Sequence, residues 1–124
     1  MLIEKLSVLT QSATELAGRI AVKANHKHVT PAHLLVALLE TKGSAVIRYI
    51  EGAGGDVTKL VEIAKRRLSH VPRAESSAEH TPINRALEAV FIRAEENASK
   101  LGQRYIGPTH VLASMLEDED CSAD

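Results

Sequence analysis

Histidines are the residues of this chain best suited to chemistry. His26, His28 and His33 lie within eight positions of one another, a density that metal-binding segments share. His33, however, has a counterpart in His110, which holds the same place in a second copy of the surrounding sequence and has no other histidine in residues 103–109 before it. A role common to both is therefore structural: each imidazole is expected to hydrogen-bond the turn that precedes its helix. A metal site using His26 and His28 is the alternative.

Other reactive side chains lack the neighbours that catalysis requires. Cys121 is the only cysteine, so it cannot form an internal disulfide, and we interpret it as a free surface thiol. Glu95 and Glu96 follow the polar side of a predicted helix, where charges are solvated. Gly52–Gly55 has no lysine at the Walker A position, and the sequence has no HExxH or nucleophile-elbow motif. We predict no catalysis and no cofactor for this chain; a small metal-dependent hydrolase is the enzymatic alternative.

The chain contains one segment twice. Val29–Glu40 returns as Ile106–Glu117 at an offset of 77 residues (110 − 33), and the same offset extends backwards without a gap to pair Leu6 with Ile83. A repeat of this length indicates that each copy is one supersecondary unit. The two copies are expected to share one core, with a seam between them that could serve as a docking groove.

The repeat also predicts the organisation of the chain. Residues 1–124 form a single domain, with repeat one at 1–70, a polar link at 71–80 and a partial repeat two at 81–124. The second copy has no counterpart of residues 43–68. We expect it to be truncated, because a buried helix without its cover would leave apolar surface exposed.

Charge and hydropathy exclude two classes of partner. The formal net charge is −1, so no basic field favours nucleic acid. No apolar run approaches the roughly 18 residues of a membrane-spanning helix, and no signal peptide opens the sequence, so we expect no membrane partner and a cytoplasmic protein.

Apolar spacing predicts helices throughout and no strands. A long helix should run from Ile3 to Ala24. Thr30 then serves as N-cap with Pro31 as the first helical residue, and the helix Pro31–Glu40 is apolar nearly all round, so it must be buried on most sides. The remaining expectations are a short helix Ala45–Glu51 with Val46, Ile47 and Ile50 inward, a helix Val57–Ser69, a long helix capped by Thr81 and Pro82 whose apolar stripe ends at Leu101, and a helix Pro108–Leu116. The predicted class is all-α.

The repeated segment resembles a known family. A long helix followed by the run at 30–39, and its return in the second copy, is similar to the Clp N-terminal domain (Clp repeat) that heads the Clp AAA+ unfoldases. Residues 67–72 add to the resemblance, and the opening residues 3–7 lean towards the ClpB disaggregase branch. The family domain consists of two pseudo-symmetric helical repeats.

This resemblance implies a non-catalytic domain that binds unfolded or aggregated proteins, or adaptor proteins, and passes them to an ATPase ring. By the same resemblance, ATP and the AAA+ hexamer belong to domains absent from this sequence. The alternative is a free-standing regulator that competes for substrates or adaptors. In phosphoarginine-reading members an acidic residue precedes each motif histidine, and because Ala32 and Thr109 stand there, we do not expect that recognition.

Four residues of the two long helices are predicted to bind substrate. Val8 and Ile92 each lie opposite the core stripe of their helix, and Phe91, the only phenylalanine, flanks its stripe. Ser7 is the polar neighbour of Val8. We predict that Ser7, Val8, Phe91 and Ile92 hold exposed apolar polypeptide in a groove between the repeats.

Overall fold

The structure, a computed structural model, describes residues 6–41, 45–74 and 81–117. These residues form six helices. Ile3 and Cys121, and the predicted link beyond residue 74, lie outside these ranges. The helices are α1 (Val8–Lys23), α2 (Pro31–Glu40), α3 (Val46–Gly52), α4 (Val57–Ser69), α5 (Arg85–Lys100) and α6 (Pro108–Glu117). Strand-like pairing among these residues is limited to isolated bridges, so the predicted all-α class is confirmed. None of the described helices combines the length and apolarity that a membrane crossing needs.

Helix α2 is the centre of the fold. It contacts every other helix, and its bounds are the predicted ones. Leu34, Ala37 and Leu38 are completely buried, while Leu35 and Leu39 are half-buried and pack against the edge of the core. The central role predicted for this helix is therefore confirmed, although its exposed edge is wider than an all-round apolar pattern predicts.

Helix α1 begins at Val8 rather than at Ile3. Leu6 forms a parallel bridge with Ile106, which holds the backbone extended at that point. Ser7 follows as the N-cap, and its hydroxyl accepts a hydrogen bond from the Thr10 N–H at 3.3 Å. The apolar residues before Ser7 fit the helical pattern, but the contact of Leu6 with the second repeat makes the helix begin after Ser7.

Helix α5 begins at Arg85, so the predicted Thr81–Pro82 cap was wrong. Pro82 lies in extended backbone, where its carbonyl accepts a hydrogen bond from the Val29 N–H at 2.8 Å. Asn84 is the N-cap instead, and its side-chain oxygen accepts from the Leu87 N–H at 2.9 Å. The repeat contained the signal: Ser7, the cap of α1, falls on Asn84 at the 77-residue offset (84 − 7).

Replacing Asn84 with alanine should lower the free energy of unfolding by roughly 1 kcal/mol, because the Leu87 N–H loses its acceptor. Thr81→Ala should change it by less than about 0.5 kcal/mol, as is usual away from caps and core. Urea denaturation of both variants measures the difference. An equal or larger effect at Thr81 would contradict the observed start of α5.

The two repeats hold one another by an exchange of equivalent contacts. Leu6 bridges Ile106, and Ile83 bridges Val29. The 77-residue offset turns the first pair into the second, with the two partners exchanged. The matching hydrogen bonds, from Ser7 N–H to the Ile106 carbonyl and from Asn84 N–H to the Val29 carbonyl, are both 3.0 Å long. Each repeat thus makes the same bridge and the same hydrogen bond to the other repeat, as the subunits of a two-fold symmetric dimer do.

Two residues predicted to face inward are exposed. On α3, Val46 and Ile50 are buried as expected, but Ile47 is 43% exposed. The short α3 therefore buries one side only, where it meets α2, α4 and α6. Leu101 is 67% exposed because α5 ends at Lys100, so Leu101 turns away from the stripe of its helix.

Candidate functional site

His33 and His110 each cap the helix whose first turn contains them. Nδ1 of His33 accepts a hydrogen bond from the Thr30 N–H at 2.9 Å, and Nδ1 of His110 accepts one from the Gly107 N–H at the same distance. Each histidine is the third residue of its helix, where glutamate or glutamine performs this function in a capping box. The structural role predicted from the repeat is confirmed in both copies.

The second ring nitrogen of His33 forms a hydrogen bond with His26. Because Nδ1 of His33 accepts from Thr30, the neutral ring carries its proton on Nε2, which lies 2.8 Å from Nδ1 of His26. The His26 ring therefore accepts this hydrogen bond and keeps its own proton on Nε2. The two rings meet edge to face with centroids 5.0 Å apart.

Burial keeps this pair neutral. His33 is completely buried, and burial, with a smaller contribution from neighbouring His26, lowers its pKa to about 4. Burial also lowers the pKa of His26, and the positive charge of Arg73 acts in the same direction. His26 and His33 thus form an uncharged structural contact that joins the turn after α1 to the start of α2.

The alternative of a metal site meets a chemical obstacle at His26. Its Nδ1 accepts the hydrogen bond from His33 and its Nε2 carries the ring proton, so the ring has no free nitrogen lone pair for a metal while this pair is intact. Across residues 6–41, 45–74 and 81–117, no three His, Cys, Asp or Glu side chains are grouped as a metal site requires.

Val8 and Ile92 are on the surface, as their helix positions predicted. Val8 is 78% exposed and Ile92 is 48% exposed. Val8 lies at the seam between the repeats, because the preceding residue, Ser7, donates its N–H to the carbonyl of Ile106 in the other repeat. Ile92 lies in the middle of α5, which packs mainly on α6. The two residues therefore occupy separate places on the two long helices.

Ser7 is committed to the fold. Besides accepting from the Thr10 N–H, its hydroxyl lies 2.9 Å from the Thr10 hydroxyl, which in turn donates to the Ile106 carbonyl at 2.9 Å. Thr10 is completely buried. Ser7 thus fixes the position of Val8 at the seam. The Ser7 hydroxyl already has hydrogen-bond partners within the fold.

Phe91 is buried, so its predicted place off the core was wrong. The ring is only 2% exposed and belongs to the core cluster. Phe91 follows Leu87 by four residues and Val90 by one, which puts it on the buried edge of the same helix face. The apolar arc of α5 includes Phe91 because the helix packs against both α6 and α2.

Sequence reasoning missed two exposed apolar residues, Leu101 and Tyr105, in the turn between α5 and α6. Tyr105 is 50% exposed and precedes the seam residue Ile106, and the Arg104 guanidinium lies 5.7 Å from its ring centre. Aligning the copies could have revealed both, since the first copy has the smaller or more polar Ala24 and His28 at these places.

Comparison with known proteins agrees with this architecture. Residues 5–124 match the Clp repeat (R) N-terminal domain. The chain belongs to the Clp N-terminal domain family. The match covers nearly the whole sequence, so the resemblance read from the repeated segment is confirmed.

Relatives of this Clp N-domain include chaperone protein ClpB of Propionibacterium freudenreichii subsp. shermanii. It is 29% identical over 115 residues, which cover 92% of this chain but only 13% of ClpB. Among solved structures, the N-terminal domain of the ClpV1 ATPase from the E. coli EAEC Sci1 T6SS superposes with a TM-score of 0.84 at 24% identity, over 97% of this chain and 72% of that one. A complex of the ClpV N-domain with a VipB peptide gives 0.80 at 21% identity, over 97% and 72%. The structural likenesses show the shared fold.

Proposed function

We propose that this Clp N-domain is a non-catalytic module that binds exposed apolar segments of unfolded proteins, or of an adaptor, at the seam between its repeats. The observation that carries the proposal is Val8, a large apolar side chain that is 78% exposed where the first repeat contacts the second. A valine so exposed gains nothing for the fold, and it is available to a partner. The ClpV N-domain, which shares this fold, has been solved with a VipB peptide.

Ile92 is the second proposed contact. It lies on the outer face of α5 beside the exposed Glu88 and Glu96. Phe91, the residue before Ile92, is buried in the core. It therefore holds the helix on the core, and Ile92 is the residue proposed to contact the bound polypeptide. Ser7 acts by holding Val8 in place through the helix cap.

Weak, reversible binding follows from the size of such contacts. Burying apolar surface yields about 25 cal/mol per Å², so a few hundred Å² gives only several kcal/mol before the ordering costs of association. A site of this strength can release a polypeptide to a motor. The residues matched to this chain make up 13% of the ClpB relative, so that protein is about seven times longer than this chain. We propose that the motor is an AAA+ ring in the cytoplasm.

Val8→Asp and Ile92→Asp should each weaken binding of a permanently unfolded polypeptide at least about tenfold, because a carboxylate must be desolvated at the contact. Raising the salt concentration should barely change binding by the unsubstituted chain, because the attraction is apolar. Fluorescence anisotropy of a labelled unfolded polypeptide measures both.

Ile47→Asp is the matched control, since Ile47 is an isoleucine of similar exposure on α3. It should bind like the unsubstituted chain. Circular dichroism and urea denaturation establish that all three variants fold. If Val8→Asp and Ile92→Asp bind as tightly as Ile47→Asp does, the proposed contacts are wrong.

A further inference from the structure

The charges of this chain are segregated along its sequence. Residues 16–39 and 63–74 contain seven of the fifteen Lys and Arg residues and none of the sixteen Asp and Glu residues. The remainder of the chain therefore has eight basic residues against sixteen acidic ones. The formal net charge of −1 thus conceals one strongly basic part and one strongly acidic part.

The fold brings the two basic segments together. Lys27 donates its N–H to the Pro72 carbonyl at 2.7 Å, beside an antiparallel bridge between His26 and Arg73. Helix α1 ends at Lys23, shortly before this pairing, and α4 ends shortly before it on the other side. Basic residues that are about 45 positions apart in sequence therefore meet at one end of the first repeat.

We call Lys23, Lys27, Arg66 and Arg73 the basic surface. All four side chains are exposed, and within the described residues none of them forms an ion pair with a carboxylate. Lys23 and Arg66 lie in the last turns of α1 and α4, where a cation also interacts favourably with the helix dipole. Lys27 and Arg73 lie outside the helices, so the dipoles do not account for them.

The basic surface belongs to the first repeat. The main contacts of α4 are with α2 and α3 of its own repeat, and α3 also contacts α6. By the exchange symmetry of the repeats, a counterpart of α4 would pack within the second repeat, and a counterpart of α3 would add a contact with α2. Neither would cover the end of α4, so the basic surface does not depend on how far the second repeat extends.

We infer that the basic surface binds an acidic segment of another polypeptide, one in which several Asp or Glu residues lie close together. Charge complementarity identifies the occupant, because carboxylates form charge-assisted hydrogen bonds with Lys and Arg. Nucleic acid fits less well. Residues 16–39 and 63–74 contain no Phe, Tyr or Trp on which bases could stack, and a longer polyanion would extend onto the acidic remainder of the chain.

This contact is separate from the proposed apolar contacts. It needs neither Val8 nor Ile92. Salt screens attraction between exposed charges, whereas apolar contact persists at high salt. The basic surface can therefore fail while the proposed function holds, and the reverse is also possible.

The test uses a capped hexaglutamate peptide titrated into the full chain. At low salt it should shift the amide NMR signals of residues 23–28 and 65–73. Its affinity should fall about tenfold or more as the ionic strength rises from about 0.02 M to about 0.3 M. Capped hexaglutamine, which has no charge, should not bind.

Charge reversals locate the contact. Lys23→Glu and Arg73→Glu should each weaken hexaglutamate binding about threefold or more, because one attraction becomes a repulsion. Lys100→Glu is the matched control, since Lys100 is the exposed last residue of α5 and the counterpart of Lys23 at the 77-residue offset. It makes the same change in net charge but lies one turn after Glu96, and it should bind the peptide like the unsubstituted chain.

Four outcomes would each overturn the inference. The first is no binding at low salt, which would mean that acidic residues of the chain itself neutralise the basic surface. The second is shifts that avoid residues 23–28 and 65–73. The third is an equal loss of affinity in Lys23→Glu and Lys100→Glu. The fourth is tighter binding of a hexathymidylate than of hexaglutamate, which would make the basic surface a nucleic-acid site.

Discussion

Replacing Leu38 with alanine should lower the free energy of unfolding by about 2–5 kcal/mol, the usual cost of a cavity at a buried leucine. Leu38 is completely buried on α2, the helix that contacts all the others, so few neighbours can move to fill the space. Urea denaturation followed by circular dichroism measures the loss, and an unchanged m-value would show that the comparison is between like states.

Leu39→Ala provides the matched control within the same helix. Leu39 belongs to the same apolar run, whose pattern predicts burial on most sides, but its side chain is only half-buried. Its truncation should therefore cost clearly less than that of Leu38. A loss below about 1 kcal/mol at Leu38, or an equal loss at both leucines, would contradict the central position of α2.

Acidification should destabilise the domain through His33. An unfolded histidine has a pKa of about 6.5, whereas burial lowers that of His33 to about 4 in the folded chain. Between these values the unfolded chain binds a proton that the folded chain does not. The stability that His33 contributes is thus complete above about pH 6.5 and is lost as the pH falls towards 4, in total roughly 3 kcal/mol.

His33→Asn isolates this contribution. The asparagine oxygen can accept the Thr30 N–H in place of Nδ1 but does not titrate. The difference in unfolding free energy between the two proteins should therefore shrink from pH 7 to pH 4. A difference that stays constant over this interval would show that His33 titrates normally, and the neutral His26–His33 pair would be wrong.

The sequence predicted those features that local pattern determines. The all-round apolar run and the Thr30–Pro31 start defined α2, and the duplicated Pro-x-His predicted a shared capping role for His33 and His110. Val8 and Ile92 were recognised as exposed because each lies opposite a clear apolar stripe.

The errors arose where contacts distant in sequence decide the structure. The starts of α1 and α5 are set by the exchanged bridges between Leu6 and Ile106 and between Val29 and Ile83, which no local pattern contains. Phe91 is buried because α5 packs against two helices, and a single stripe drawn on one helix does not include the second.

The most direct measurement of the central proposal is NMR mapping of the whole chain with a permanently unfolded, apolar-rich polypeptide. Apolar contact with Val8 at the seam and with Ile92 on the outer face of α5 predicts that the amide signals around both residues shift reversibly with weak affinity, and that these shifts persist at high salt. Absence of binding, or shifts that avoid both residues, would contradict the proposal that this Clp N-domain captures unfolded polypeptide at the seam between its repeats.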